Sequence, residues 1–464
     1  MSDNSHYSFE VIKKRKEEID KVSPSFCLAK WTQSTILLYN GFTHSCHHPT
    51  RHKIIPLDLI ENVQGLHNTP TKIKARSDML NGVQTSECSY CWKIENLNKD
   101  HLSDRTYKSS HNWSFPRLEE VIQSGTGKDT VPSYLEIAFD SKCNAKCLYC
   151  NPESSSSWEQ EIKKFGPLPN SEGPLYDLDY LKKMGALPIP SDSPNPYIDA
   201  FWNWWPLIYP KLQILRVTGG EPLMSAHTWR LMDRIEADPR TDLEFSINSN
   251  LCLPRPLIEK LVNKLNLIQP KIKNFEIYTS LESVGPQAEY VRHGMNYSEF
   301  LQNCLYILDN TSKDVRLNFM TTINMLSAPS FLDYLKLLVD LRKNYLVKSR
   351  DFRVRTHFNI LRWPPFLSLT LLPKRLKEKY KAEWLGFMEA NVITKDLKAG
   401  ESFYVEEIEQ VKRLTDFMCS ENADKSAYKN FRLFIREIDK RRDQNFAKTF
   451  PELSELLTES YYGK

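Results

Sequence analysis

Through the middle of the chain, short apolar runs rich in β-branched and aromatic residues alternate with stretches whose apolar positions recur at helical spacing. The runs are Tyr134–Phe139, Leu212–Thr218, Leu243–Asn248, Phe275–Leu281, Val315–Thr321 and Phe352–Ile360. Helical patterns fall between them, among them Thr228–Ala237, Pro256–Leu265 and Phe331–Lys343. That alternation is the pattern of βα units around a parallel sheet. Six strands, rather than eight, predict a partial (β/α)6 barrel over residues 128–373. Residues 1–23 read as a solvated helical arm, with a charge on almost every turn, and residues 24–110 show little long-range periodicity. Residues 374–464 read as charged helices, notably Glu401–Met418 and Tyr428–Arg442, that pack back or cap an edge. Eight prolines interrupt residues 152–200, so a helix near Ser155–Lys164 must give way to an irregular excursion, either a surface loop or a lid.

Composition narrows the classes. With 464 residues, two or three domains are expected at roughly 100–200 residues each. Hydrophobic residues at 41% and charged residues at 26% supply a full core and exclude wholesale disorder. A net charge of +4 is too small to point to a nucleic-acid or membrane partner by itself. No apolar run is long enough to span a bilayer, and the first twenty residues carry no apolar signal segment, so a cytoplasmic protein is expected. The ten cysteines should then be reduced, and those in close spacing point to metal rather than to disulfides. Residues 24–110 hold four of them and six of the eleven histidines, so this zone is expected to lack its own core and to fold around a metal centre.

The sharpest signal comes directly after the first predicted strand, in Asp140-Ser-Lys-Cys143-Asn-Ala-Lys-Cys147-Leu-Tyr-Cys150. Three thiolates spaced CxxxCxxC can ligate three corners of a [4Fe–4S] cube, leaving one iron open. A structural zinc site wants four ligands, and no fourth Cys or His lies within thirty residues on either side. The spacing, with Tyr149 as the aromatic residue before the last cysteine, resembles that of the radical S-adenosylmethionine (SAM) superfamily. The resemblance implies an open iron that chelates SAM, reductive cleavage to a 5′-deoxyadenosyl radical, hydrogen abstraction from a peptide or small molecule, and an electron donor such as flavodoxin or ferredoxin. Gly219-Gly220-Glu221, ending the second strand, resembles the family's GGE motif, in which glycines admit a close ligand and the carboxylate accepts from the SAM ammonium. Ser246 and Asn248 on the third strand and Ser280 on the fourth stand where relatives place polar contacts to SAM. Glu289-Tyr-Val-Arg292-His-Gly294 resembles a motif whose arginine would pair with the SAM carboxylate; the other reading of Arg292 is a surface ion pair with Glu289.

A second constellation comprises Phe26-Cys27, Tyr39-Asn-Gly41 leading to Cys46, Cys88-Ser-Tyr-Cys91 with Glu95, and Ser103-Asp-Arg105. In order and content it resembles the N-terminal auxiliary-cluster module of "twitch" (SPASM-related) radical SAM proteins. This implies a second [4Fe–4S] cluster on Cys27, Cys46, Cys88 and Cys91 over residues 24–110, although the same spacing suits zinc. Lys30 stands where relatives often have proline, and His47-His48 follow Cys46 where a second cysteine is frequent. Cys252, Cys304 and Cys419 read as core thiols, Phe201–Trp205 as helix packing, and His47 and His48 as solvent or second-tier groups. His357 alternates with Arg355 and Asn359 and reads either as structural or as a substrate contact. Two other functions remain open: a non-catalytic iron–sulfur or zinc scaffold, and an RNA-modifying enzyme that uses the basic helix Lys425–Arg442.

Overall fold

The computed structural model describes residues 9–97, 101–169, 174–190, 192–347, 351–393, 402–420 and 425–461. In chain order the strands are β1 (Gln33–Leu37), β2 (Phe42–His44), β3 (His52–Lys53), β4 (Tyr134–Ala138), β5 (Lys146–Cys147), β6 (Ile214–Thr218), β7 (Arg240–Asn248), β8 (Ile272–Ser280), β9 (Arg292–His293), β10 (Val315–Ile323), β11 (Leu346–Val347), β12 (Asp351–Phe352) and β13 (Val354–Ile360). All six predicted runs form strands. The chain divides into two compact units: residues 1–141, 188–247 and 271–274 in the first, and 142–187, 248–270 and 275–464 in the second.

In the first unit the strand order is β7-β6-β4-β1-β2-β3. β1, β4, β6 and β7 run parallel, while β2 and β3 turn back antiparallel beyond β1. β1 was not expected. Its sequence, Gln-Ser-Thr-Ile-Leu, has no apolar run, yet the strand is largely buried because β2 and β4 cover its two edges. The expectation that residues 24–110 lack a core is also corrected. Phe26, Leu28 and Trp31 pack with Ile19 and Val121, and Cys27, Ala29, Met79, Cys88, Cys91 and Trp92 pack with Trp113 and Ile214. Several of these partners come from outside the segment, which is why its local pattern looked coreless. The arm helix Phe9–Val22 buries Ile12 and Ile19 rather than lying fully solvated; residues 1–8 are outside the described residues. The helix Pro196–Ile208 buries Phe201, Trp204 and Trp205, so that aromatic cluster is packing.

In the second unit β8, β10 and β13 run parallel with β10 central. The short pairs β5–β9 and β11–β12 are antiparallel. The helix Ser156–Phe165 starts where expected, because the Ser155 side chain caps the Trp158 amide; residues 170–173 and 191 of the proline-rich excursion are outside the described residues, as is Glu401. The helix Val405–Cys419 buries Ile408, Val411, Leu414 and Met418. It is tied to the helix Phe331–Asn344 by a buried Arg342–Glu407 ion pair of 2.7 Å. Phe431, Phe434, Ile435 and Ile438 are buried on the helix Lys425–Arg442, and so are its charged residues Arg432 and Arg442. Among the described residues no helix is long and apolar enough to cross a membrane.

Candidate functional site

Cys143, Cys147 and Cys150 share one loop of the second unit, and hydrogen bonds hold its backbone along its length. Ser155 Oγ donates to the Ala145 carbonyl (2.8 Å), Ser157 Oγ to the Cys143 carbonyl (2.6 Å), and Trp158 Nε1 to the Cys147 carbonyl (2.9 Å). Opposite, β5 pairs with β9 so that Cys147 faces Arg292 across the ladder. Gly294 explains the end of the Arg292-His-Gly294 motif: its φ is +102°, and a Cβ there would lie 2.5 Å from the Asn144 carbonyl oxygen. Arg442 closes the outside, stacking at 4.5 Å on Trp158 and donating to the Lys146 carbonyl at 2.9 Å while paired with Glu161. The tie is non-local and could not be seen in the sequence.

The surroundings of the three thiols are polar and pre-arranged. Arg292 is buried, with Nη1 3.7 Å from Cys147 Sγ and Nη2 2.6 Å from Glu282. It does not pair with Glu289, whose carboxylate instead accepts from the Tyr297 amide, so the surface-ion-pair reading is corrected. The Tyr149 hydroxyl donates to the other Glu282 oxygen at 2.9 Å, and the guanidinium lies 5.5 Å from the Tyr149 ring centre. Asn250 Nδ2 approaches Cys143 Sγ at 3.8 Å and bonds the Asn144 side chain at 2.8 Å. Burial pushes the Cys147 and Cys150 thiols up, and Cys150 is raised further by its neighbours Cys147 and Cys143. Binding a metal relieves both effects, since it takes thiolates and offsets their charge. The donor set therefore fits an iron–sulfur cluster. Asn250 and Glu282 stand at the ends of the strand-end elements Ser246-Ile-Asn248-Ser-Asn250 and Tyr278-Thr-Ser280-Leu-Glu282, in which the sequence reading assigns a role to neither residue.

The other expected SAM contacts are divided between the two units. Gly219 and Gly220 come directly after β6 in the first unit. A Cβ on Gly219, at φ +126°, would lie 2.5 Å from the Asp140 carbonyl oxygen, and the Gly220 amide donates to that same oxygen at 3.1 Å. Glu221 is fully buried and its carboxylate accepts from the Leu223 amide at 3.0 Å, capping the turn Pro222–Met224. Ser246 is buried on β7, opposite Arg216 of β6. In the second unit Asn248 Nδ2 lies 3.8 Å from Met320 Sδ, and Ser280 ends β8 beside Met320. His357 stacks near Tyr278, with ring centres 6.1 Å apart. Of the isolated cysteines, Cys304 is buried, Cys252 half-buried and Cys419 exposed, so the core-thiol reading is corrected for Cys419.

In the first unit, Cys27, Cys46, Cys88 and Cys91 line one cavity. They arrive from four places: the loop before the helix Ala29–Thr32, the β2–β3 connection, the turn Ser86–Cys88, and the helix Ser89–Leu97. Arg105 is the tie-bar. It forks onto Glu95 (2.9 Å from Nη2), reaches the Phe26 carbonyl beside Cys27 (2.7 Å), and holds Asp20 (2.9 Å). Ser103 also donates to Glu95, so Glu95, Ser103 and Arg105 form one network beneath the cysteines. Burial, then Cys88, Cys46 and Cys91, push Cys27 up to about 12. Burial pushes Cys91 up to about 11. Lys30 is buried in the same cavity and paired with Glu87; burial works against its charge, but Cys88 and Glu87 outweigh burial and hold it up. Four thiols lining one cavity, with a buried cation among them, suit a closed, fully protein-ligated metal centre. Beside it, His47 and His48 both reach Asp104, at 3.2 and 2.6 Å, and the His48 ring stacks on Tyr90 at 3.9 Å. Burial opposes the Asp104 charge, but the two imidazoles outweigh it and hold the carboxyl well below its usual range.

No protein-family model matches the chain, and no curated protein does. Among solved structures, SuiB of Streptococcus suis bound to S-adenosylmethionine overlaps 80% of this chain and 76% of its own, at 13% identity and a TM-score of 0.29. An overlap at that score is too weak to assign a function.

Proposed function

We propose that the protein is a radical SAM enzyme with an auxiliary iron–sulfur centre. Cys143, Cys147 and Cys150 would hold a [4Fe–4S] cluster by three irons, and Cys27, Cys46, Cys88 and Cys91 would close a second cube. Residues 128–373 would form the partial barrel of that family, residues 24–110 the auxiliary module, and a flavodoxin or ferredoxin would serve as electron donor. Bound to such a cluster, SAM supplies a carbon radical able to take a hydrogen atom from an organic substrate. The observation that carries the reading is the loop of three thiols, clamped by backbone hydrogen bonds and lined by Arg292 and Asn250 at their sulfur atoms.

The chain's own groups have defined tasks in this scheme. The serine and tryptophan clamps hold the backbone of the thiol loop in place. Arg292 sets a positive charge beside Cys147, which favours its thiolate, and Glu282 balances that charge so the guanidinium can stay buried. Arg292 Nε is buried with no partner, leaving one donor for a ligand carboxylate. Glu221 would supply a carboxylate to the SAM ammonium, as the resemblance of Gly219-Gly220-Glu221 to the GGE motif implies. The test is metal content with product analysis. About eight irons per chain, the count for two cubes, and no zinc are expected. About four irons with one zinc would make the four-cysteine cavity a structural zinc site.

A further inference from the structure

A cavity of about 680 Å³, open mouth included, lies within the first unit next to the four cysteines and shares Lys108 with their cavity. Its floor is set by sheet register. Gln33 of β1, Tyr134 of β4 and Ile214 of β6 are cross-strand neighbours, and two residues along each strand Thr35, Glu136 and Arg216 form a second row on the same face. β4 and β6 are inner strands of a parallel sheet, where apolar side chains on both faces are the rule. Packing alone has no use for a carboxylate and a guanidinium there. The Glu136–Arg216 contact is loose at 3.8 Å. Gln33 is 6% exposed, lines the cavity, and its buried Oε1 has no partner. Lys108, also 6% exposed, bonds His47 Nδ1 at 3.1 Å. Trp113 and Tyr134, rings 5.3 Å apart, give one aromatic wall, and the Tyr134 hydroxyl is hydrogen-bonded to Arg216.

We propose that this cavity binds a small monoanionic carboxylate with an aromatic-sized apolar body and a hydrogen-bond donor. Lys108 and Arg216 offer positive charge to the carboxylate and Glu136 opposes it, while Lys108 also lines the cysteine cavity beside Asp104 and Cys46. Trp113 and Tyr134 take the body, and Gln33 Oε1 takes the donor. As a substrate class this rests on the function proposed above, since the cavity adjoins the four-cysteine centre.

The test is calorimetric titration of the full, anaerobically purified chain with 3-(4-hydroxyphenyl)propionate, its primary amide, and 3-phenylpropionate. The hydroxylated acid should saturate the protein at least tenfold more tightly than its amide. Arg216→Gln and Lys108→Gln should each weaken it at least tenfold, while Arg216→Lys, which keeps the charge, restores most of the loss. Gln33→Leu, which removes only an unpartnered acceptor, should abolish the preference for the hydroxylated over the plain acid and leave the thermal midpoint unchanged or raised. Acid and amide binding alike, no saturation by either acid, or undiminished binding in both charge-removing variants would overturn the proposal. SAM cleavage is measured separately without these acids. Cleavage with no acid binding removes this inference alone, and acid binding with no cleavage removes the radical SAM reading alone.

Discussion

The two cysteine sites solve one chemical problem in opposite ways. In the second unit three thiols sit on a loop of eight residues, and the fold's task is to clamp that loop. In the first unit four thiols come from four segments spread between Cys27 and Cys91, and a network through Arg105, Glu95 and Phe26 must bring them together. The local site carries its geometry in its spacing. The dispersed site has geometry only when its unit is folded, so metal binding and folding should be far more tightly coupled there.

The largest effect should come from Cys88→Ala combined with Cys91→Ala. This double variant should lose about half of the iron, the count of one cube of two, and most of the thermal stability of the first unit, read by elemental analysis and calorimetry. An unchanged melting profile would remove the contrast between the sites. Next, Arg292→Met leaves Glu282 buried without its cation, a loss of about 3–5 kcal/mol in second-unit stability. Arg292→Met with Glu282→Gln should recover much of it, and failure of the recovery in chemical denaturation would show that Arg292 acts through contacts other than the pair. Glu221→Gln should be milder. The amide oxygen can still cap Leu223, so stability should hold, while loss of charge toward the SAM ammonium costs about 1.5–3 kcal/mol, roughly ten- to hundredfold in affinity. A fall in the thermal midpoint with SAM affinity intact would make Glu221 a cap only.

The smallest effect is on pH dependence. Burial holds His44 and His52 down to about 4 and His67 well below its usual value, all in the first unit; His293, also held to about 4, is in the second. Below about pH 6.5 the unfolded chain takes protons on these imidazoles that the folded chain refuses, so stability falls as pH drops from there toward 4. The first unit should therefore lose more stability than the second between pH 7.5 and 5 in chemical denaturation. His52→Gln should flatten that fall, and an equal slope in the variant would assign it to other groups.

Legibility in the sequence divides along the same line. The six core strands could be read because each is a short run rich in β-branched and aromatic residues, and the CxxxCxxC loop because its chemistry is contiguous. β1 escaped because its burial comes from neighbours rather than from its own side chains. The core around Phe26, Leu28 and Trp31 escaped because Ile19 and Val121 complete it from outside. Lys108 gained a role only when distant segments met at the two cavities of the first unit. Arg292 was legible as a motif residue, but its partner was not: Glu289 lies close in sequence, and the fold supplies Glu282.

The most direct test of the central claim is 5′-deoxyadenosine production from SAM by the reduced, oxygen-free protein. Product is predicted from the unaltered chain, and from Cys88→Ala with Cys91→Ala wherever the second unit stays folded. None is predicted when Cys143, Cys147 and Cys150 are all replaced by alanine. Product from that triple variant would contradict the claim.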